Sequence, residues 1–171
     1  MWDRIKRLLR HRWTEDSHRV IGADAMARLK QKVTASERLH SGEIRTCIEA
    51  GLPNSYLLRP GSLHAIARQR ALSQFGKLRV WDTEHNNGVL IYLLLAERRI
   101  ELVADRGLNQ FVTTKDWHEM VERLGKSLCD GHFEEGLMAA ISEVSAVLQA
   151  HFPTEPNHSR PNELPDQPTM A

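Results

Sequence analysis

Acidic and amide side chains lie on either side of the most apolar stretch of this chain, residues 89–96. Side-chain oxygens of this kind are the ligands that calcium and magnesium take, usually from several separate segments of a chain. The candidate ligands are Glu43, Asp82, Glu84, Asn86 and Asp105. Their spacing matches no dedicated metal loop, so the alternative is that the carboxylates are solvated loop residues paired with Arg79, Arg99 or Arg106.

Several other function classes are excluded by patterns that the sequence lacks. It has no zinc-like spacing of histidines and cysteines, no glycine-rich phosphate loop and no Gly-x-Ser-x-Gly motif. Its 23 basic and 22 acidic residues nearly cancel, whereas nucleic-acid binding needs a strong basic excess. No apolar run reaches the roughly 18 residues of a membrane span, and no secretory signal is present. We therefore expect a cytoplasmic protein with no transmembrane segment and no nucleic-acid partner.

The hydrophobic pattern predicts the elements that hold the candidate ligands. Residues 89–96 are apolar or nearly so throughout, which is typical of a strand buried on both faces. Glu97-Arg98 predicts a hairpin into a return strand over 99–104, and residues 43–49 alternate like a strand with one wetter face. Helices are predicted over 17–39, 62–76, 113–131 and 133–151. The order α-β-α-β-β-α-α gives an α/β fold, a mixed sheet of at least three strands sandwiched between helices.

This topology predicts that the candidate ligands meet at one edge of the sheet. In a hairpin, the start of one strand lies beside the end of its partner, so the loop with Asp82 and Glu84 meets Asp105. A helical crossover makes the first strand parallel to the central strand, and Glu43 then joins the same edge.

The two ends of the chain differ from its middle in composition. Residues 1–16 predict a basic amphipathic helix. Residues 1–13 would dock either on the domain's own surface or on a protein partner or an anionic membrane surface. Residues 17–152 form the α/β domain. Residues 153–171 hold five of the seven prolines and almost nothing large and apolar, so they are predicted to be disordered.

Four short motifs are more specific together than any of them is alone. They are Ser41-Gly42-Glu43-Ile44-Arg45, Asn87-Gly88-Val89-Leu90-Ile91, Gly107-Leu108 and Gly131-His132-Phe133-Glu134-Glu135-Gly136-Leu137. Together they resemble the TPM domain family, which is named after a thylakoid lumen phosphatase, a photosystem II repair protein and a receptor modulator. The resemblance covers residues 20–152. It implies a mixed sheet between helices, a divalent-cation site in loops at one sheet edge and, for some members, acid phosphatase activity.

The chain departs from the family pattern in two places. It has Asn86 where many members have an aspartate, and it has Asp105-Arg106-Gly107-Leu108 where many have Gly-Tyr-Gly-Leu. The resemblance then implies that a cation site has moved to Asp82, Glu84 and Asp105, or that it is absent. Many members also carry a signal peptide and a membrane anchor. The sequence predicts neither here, so this chain resembles a cytoplasmic bacterial-type member.

Two functions remain open at this point. As a metal-dependent phosphatase, the domain would use bound calcium or magnesium to polarise a phosphoryl oxygen and to activate water. Asp105 and Arg106 would be the catalytic residues, with Asp105 in the metal site and Arg106 against the phosphate charge. As a non-enzymatic interaction module, the domain would instead bind a protein partner or a membrane surface through the basic N-terminal helix.

Overall fold

A mixed sheet of four strands lies between two layers of helices in the computed structural model, which describes residues 20–154 and 162–171. The helices are α1 (Ala23–Ser36), α2 (Asn54–Leu57), α3 (Leu63–Lys77), α4 (Thr114–Cys129) and α5 (Phe133–His151). The strands are β1 (Ile44–Glu49), β2 (Val89–Leu94), β3 (Arg99–Ala104) and β4 (Thr169–Met170). The predicted α/β fold, a mixed sheet sandwiched between helices, is confirmed.

The strands follow the order β3-β2-β1-β4 across the sheet. β1 pairs with β2 in parallel, with Ile44 opposite Val89, as the crossover through α3 requires. β3 pairs with β2 antiparallel, with Ala104 opposite Val89. β2 ends at Leu94, two residues earlier than predicted, because a short 3₁₀ turn over Leu95–Glu97 makes the hairpin.

The central strand is buried on both faces, as its unbroken apolar run predicts. Alternate side chains of β2 point to opposite sides of the sheet. Val89, Ile91 and Leu93 pack with residues of α1, α4 and α5. Leu90, Tyr92 and Leu94 pack with residues of α2 and α3. Each helical layer therefore covers one face of the same strand.

The wetter face predicted for the first strand is wrong, because every residue of β1 is buried. On that face, Glu49 lies beneath α3, and its carboxylate accepts hydrogen bonds from Nη2 of Arg70 at 2.6 Å and from Nε at 2.9 Å and 3.2 Å. The Tyr92 hydroxyl also donates to it, at 2.6 Å. Burial, together with this carboxylate, raises the pKa of Tyr92. An alternating polar pattern thus marks a buried ion pair here, because α3 supplies the partner charge.

The C-terminal prediction also needs correction, because residues 162–171 pack on the domain rather than being disordered. Thr169–Met170 forms the fourth strand, parallel to β1, and Leu164 is only 7 % exposed. The physical reason is that the outer edge of β1 would otherwise present unpaired backbone N–H and C=O groups. A short C-terminal segment pairs with some of them, although it contains prolines.

The remaining predictions about the ends of the chain concern residues that the structure describes only in part. The amphipathic helix predicted over residues 1–16 lies outside the described residues. Within residues 20–154 and 162–171, no helix combines the length and the apolar character needed to cross a membrane. The helix predicted over 17–39 is described from Ala23 and ends at Ser36.

A buried histidine ties the chain entering β1 to the chain leaving α5. His40 is 2 % exposed and forms an isolated bridge with Pro153. Its Nδ1 lies 2.9 Å from the carbonyl oxygen of Gly42. Because a carbonyl only accepts, Nδ1 carries the proton, and the buried Nε2 has no partner among the described residues. Burial lowers the pKa of His40 to about 4, so the ring is neutral at pH 7.

We expect His40 to destabilise the fold in acid. Its folded-state pKa of about 4 lies below the ordinary value of 6.5, so the unfolded chain binds the extra proton as pH falls between these values. The linked loss of stability is about 2 kcal/mol at pH 5. The free energy of unfolding is measured in urea at pH 7 and at pH 5. Between these two pH values, it should fall by about 2 kcal/mol less in a His40→Asn variant than in the wild-type chain. The exposed His132, changed to Asn, is the matched control. Parallel losses in wild type and His40→Asn would contradict this assignment.

Candidate functional site

Three chain segments meet at the predicted edge of the sheet. The backbone N–H of Val89 donates to the carbonyl oxygen of Glu43 at 2.8 Å. The N–H of Asp105 donates to the carbonyl oxygen of Gly88 at 2.9 Å. The segments before β1, before β2 and after β3 are therefore neighbours, as the topology predicts.

The loop before β2 packs directly on the turn after β3. The N–H of Gly107 donates to the carbonyl oxygen of Asn86 at 2.9 Å. A Cβ atom at Gly107 would lie 2.5 Å from that oxygen and 2.6 Å from the carbonyl oxygen of His85. Only glycine lets the two backbones approach this closely.

Asp105 is the carboxylate of the turn after β3, and it is buried. The residue is 8 % exposed, and its Oδ1 accepts a hydrogen bond from the N–H of Arg106 at 2.7 Å. Its Oδ2 is buried and accepts no hydrogen bond from the described residues. Buried carboxylate oxygens are nearly always satisfied by a donor, a water or a cation. Asp105 therefore has one oxygen that a ligand could satisfy.

Asn86 and Arg106 hold each other at the same edge. Asn86 adopts a left-handed backbone conformation, with φ of 53°. Its side-chain oxygen accepts a hydrogen bond from Nε of Arg106 at 3.0 Å. This contact fixes the direction of the Arg106 guanidinium, and it also means that Asn86 already has a positively charged partner.

Glu43 faces the C-terminal residues rather than the other candidates. Its two carboxylate oxygens accept hydrogen bonds from the N–H groups of Glu163 and Leu164, each at 3.3 Å. Burial is the main reason that its pKa is raised. Glu43 lies at the predicted edge, but its oxygens are already engaged.

Asp82 and Glu84 are exposed in the loop before β2. Asp82 pairs with Arg79, which is the solvated arrangement that the sequence leaves open. The N–H of Glu84 donates to a carboxylate oxygen of Glu163 at 2.8 Å. Over the described ranges 20–154 and 162–171, no three Asp, Glu, His or Cys side chains are grouped so that they could hold a metal ion. The structure brings the segments together without gathering all five side chains.

Asn87 also lies at this edge, although it is not among the five candidate ligands that the sequence indicates. Asn87 is fully buried, and its Nδ2 lies 3.4 Å from the hydroxyl oxygen of Ser41. Its side-chain oxygen is buried without a partner among the described residues. The available signal was its place inside the Asn-Gly-Val-Leu motif, next to a strand buried on both faces, where an amide side chain is unusual.

Comparisons with known proteins agree on the fold. The family model described as TPM domain matches residues 14–147. The NMR structure of the BA42 protein from the psychrophilic bacterium Bizionia argentinensis is similar, with 23 % identity and a TM-score of 0.71. The match covers 88 % of this chain and 95 % of that one.

A second solved structure is also similar, the N-terminal domain of a protein from P. gingivalis. Its identity is 19 % and its TM-score 0.58, and the match covers 84 % of this chain and 86 % of that domain. No curated protein matches this chain. At these identities, the two structures support the fold alone.

We expect Gly107→Ala to separate the two segments of the edge. Its Cβ would overlap two backbone carbonyls that belong to a neighbouring loop, so the backbone must shift, at a cost of about 1–3 kcal/mol. Urea unfolding measures this loss. Gly125→Ala, in the middle of α4 with no atom within 4 Å of the added Cβ, is the control and should be neutral or stabilising by up to about 1 kcal/mol. Equal stabilities of the two variants would contradict the close approach.

Proposed function

Because this chain belongs to the TPM domain family, we propose that it binds a divalent cation, calcium or magnesium, at this sheet edge with Asp105 as the main ligand. The observation that carries the proposal is the buried Oδ2 of Asp105, which accepts no hydrogen bond from the described residues. A buried carboxylate oxygen without a partner is costly, and a hard cation is a ligand that removes the cost.

The other residues of the edge suit a weakly held cation better than a tightly caged one. The buried side-chain oxygen of Asn87, which also has no partner among the described residues, is a second available ligand in the adjoining loop. Asp82 and Glu84 are exposed in that loop and add negative charge nearby. Magnesium keeps several waters when few protein ligands are present, and calcium accepts a flexible mixture of oxygens.

Two earlier candidates enter the proposed site only by exchanging partners. Asn86 would have to release Arg106. Glu43 would have to release the backbone of the C-terminal residues. We therefore place both outside the ligand set of this state.

Arg106 favours a phosphomonoester as the molecule handled at this edge. Its guanidinium is held in place through Nε by Asn86, and it follows Asp105 directly in the chain. A guanidinium binds phosphate oxygens with charge-assisted hydrogen bonds and neutralises their charge. A bound divalent cation supplies polarisation of a phosphoryl oxygen and activation of water. Asp105 would hold the cation, and Arg106 would bind and orient the phosphate for hydrolysis.

The rival function, an interaction module that docks through residues 1–13, stays a prediction from the sequence, because those residues lie outside the described part of the structure. The two functions depend on different parts of the chain. The interaction module depends on the N-terminal residues, whereas the cation site depends on the loops before β2 and after β3.

We expect Asp105→Asn to weaken cation binding while the fold remains. An amide oxygen can still accept the hydrogen bond from the Arg106 N–H, but the negative charge is lost. Calcium and magnesium are titrated into the wild-type chain while backbone amide shifts and the melting temperature are followed. Saturable shifts confined to residues 82–88 and 105–107 are expected, with a raised melting temperature because the ion binds the native state. The variant should bind at least about tenfold more weakly, as expected when a charged ligand is neutralised.

Asp130→Asn is the matched control for this titration. Asp130 is exposed at the end of α4, near the hairpin at the opposite end of the sheet, and its loss should leave the titration unchanged. If Asp105→Asn binds as the wild type does, the ligand assignment is wrong. If the wild-type chain does not respond at millimolar ion, the cation proposal itself is wrong.

We expect Arg106→Gln to weaken phosphomonoester binding without removing the cation. With p-nitrophenyl phosphate and saturating cation, its KM should rise at least about tenfold, because a charge-assisted phosphate contact is worth roughly 1.5–3 kcal/mol. Arg123→Gln is the control, since Arg123 pairs with Glu143 on the surface between α4 and α5. A wild-type chain that binds cation but gives no turnover would refute the phosphatase function and leave the cation site standing.

A further inference from the structure

The outer edge of β3 pairs with no strand of the described residues, because β3 is the last strand in the order β3-β2-β1-β4. The N–H of Asp105 donates to the carbonyl oxygen of Gly88. Hydrogen-bonded and non-hydrogen-bonded positions alternate along an antiparallel pair, so the backbone N–H and C=O groups of Ile100 and Leu102 point away from β2. The carbonyl oxygen of Leu102 already accepts a hydrogen bond from Nη1 of Arg68. Both backbone groups of Ile100 and the N–H of Leu102 remain for a further strand.

A groove runs along this edge between β3 and α4. It consists of two adjoining cavities, a wide one of about 560 Å³ and a narrow one of about 150 Å³. The wide cavity follows the chain from Glu97 to Ile100, and the narrow one lies beside Leu102. α4 lines the groove with residues spaced three or four apart, from Thr114 at the narrow end to Cys129 at the wide end. An open strand edge beside a helix is a geometry that binds an extended peptide as an added strand.

Gly125 leaves the α4 wall of the wide cavity open. It lies in the middle of α4, and a Cβ atom there would have no atom within 4 Å. Glycine weakens a helix relative to alanine, and no neighbour among the described residues requires it at this position. A side chain that projects from a bound strand toward α4 has room above Gly125.

The narrow cavity has a positive charge that is not balanced. Glu101 is 4 % exposed, and its carboxylate is paired with Nε of Arg99 at 2.8 Å. Arg68 lies farther from the same carboxylate, at 3.7 Å. Beyond the bond to the carbonyl oxygen of Leu102, its guanidinium donates no hydrogen bond to the described residues. Two guanidinium groups beside one carboxylate leave one charge and several donors for a ligand, and a carboxylate fits both.

The narrow cavity also has an apolar wall, formed by Trp117 and Val121. His64 and His118 line both cavities, so they lie where the two cavities join, and their ring centroids are 6.4 Å apart. About half of each side chain is exposed, 51 % and 58 %. The two rings are therefore free to turn outward over a chain that lies in the groove.

We propose that this groove binds the C-terminal residues of a partner protein as a strand parallel to β3. Ile100 then bonds two residues of the partner strand, as parallel pairing requires. The terminal carboxylate binds Arg68, and the last side chain lies against Trp117 and Val121. The side chain two residues earlier points to the same face and lies over Gly125. The surface is separate from the proposed cation site and does not depend on it.

The experiment uses the full-length chain and nine fluorescein-labelled hexapeptides, Ser-Gly-Thr-X-Thr-X, in which each X is Leu, Val or Phe. Binding is measured by anisotropy in EDTA, so that no divalent cation contributes. We expect at least one peptide with a free carboxylate to bind, and its C-terminal amide to bind at least about tenfold more weakly, because a charge-assisted contact is lost. If no peptide binds at about a millimolar, the groove proposal is wrong. If the amide binds as tightly as the acid, the assignment of a chain terminus is wrong.

Arg68→Gln tests the carboxylate contact. It should weaken the binding of the acid peptide about tenfold and leave the affinity of the amide unchanged, whereas a structural effect would weaken both. Arg123→Gln, which removes a surface pair with Glu143, is the matched control and should change neither affinity. Equal losses for the acid and the amide in Arg68→Gln would overturn the role of Arg68.

Gly125→Leu tests the path of the peptide along α4. The added side chain enters open space, so the chain should fold while both peptide forms bind at least about tenfold more weakly. Gly76→Leu at the end of α3, where a Cβ also has no atom within 4 Å, is the matched control. In the wild-type chain, bound peptide should shift the backbone amide signals of Ile100 and Leu102. Unchanged affinity in Gly125→Leu, or unchanged signals for these two residues, would overturn the placement of the strand.

Discussion

The six side chains of β2, Val89–Leu94, have no contact with solvent, and the rest of the fold is arranged to cover them. Burying a strand on both faces requires a layer of helices on each side, and it forces the neighbouring strands to complete the hydrogen bonds of its backbone. The hairpin to β3 and the crossover through α3 to β2 satisfy both requirements in a short chain. The position of every loop at the functional edge follows from this arrangement.

Covering the sheet on both sides also buries polar groups of β1, and the structure resolves each of them differently. Glu49 is neutralised by Arg70 and bonded by Tyr92 within the apolar layer under α3. Arg45 and Glu43 lie nearer the rim and use the backbone of the C-terminal segment instead. The ion pair is satisfied within the domain, whereas the other two residues depend on a segment that reaches them from the end of the chain.

The candidate site differs from β1, because some of its buried side-chain oxygens accept no hydrogen bond from the described residues. Tight backbone contact at Gly107 presses the loop before β2 against the turn after β3. Beside this contact, Oδ2 of Asp105 and the side-chain oxygen of Asn87 are buried and accept no hydrogen bond from the described residues. Arg106, which donates to Asn86 at the same edge, adds a positive charge beside them.

The amino-acid sequence by itself determined the α/β class, the order of the elements and the edge at which their loops meet, because these follow from local hydrophobic periodicity and from the handedness of strand crossovers. It did not determine which side chains meet there. Asp82 and Asp105 are equally plausible ligands in the sequence, yet one pairs with Arg79 in solvent and the other is enclosed. The tertiary structure also decided that the polar face of β1 is buried and that a proline-rich tail supplies the fourth strand. Both outcomes depend on partners distant in sequence, Arg70 for Glu49 and residues 162–171 for Arg45, and no local pattern encodes such long-range contacts.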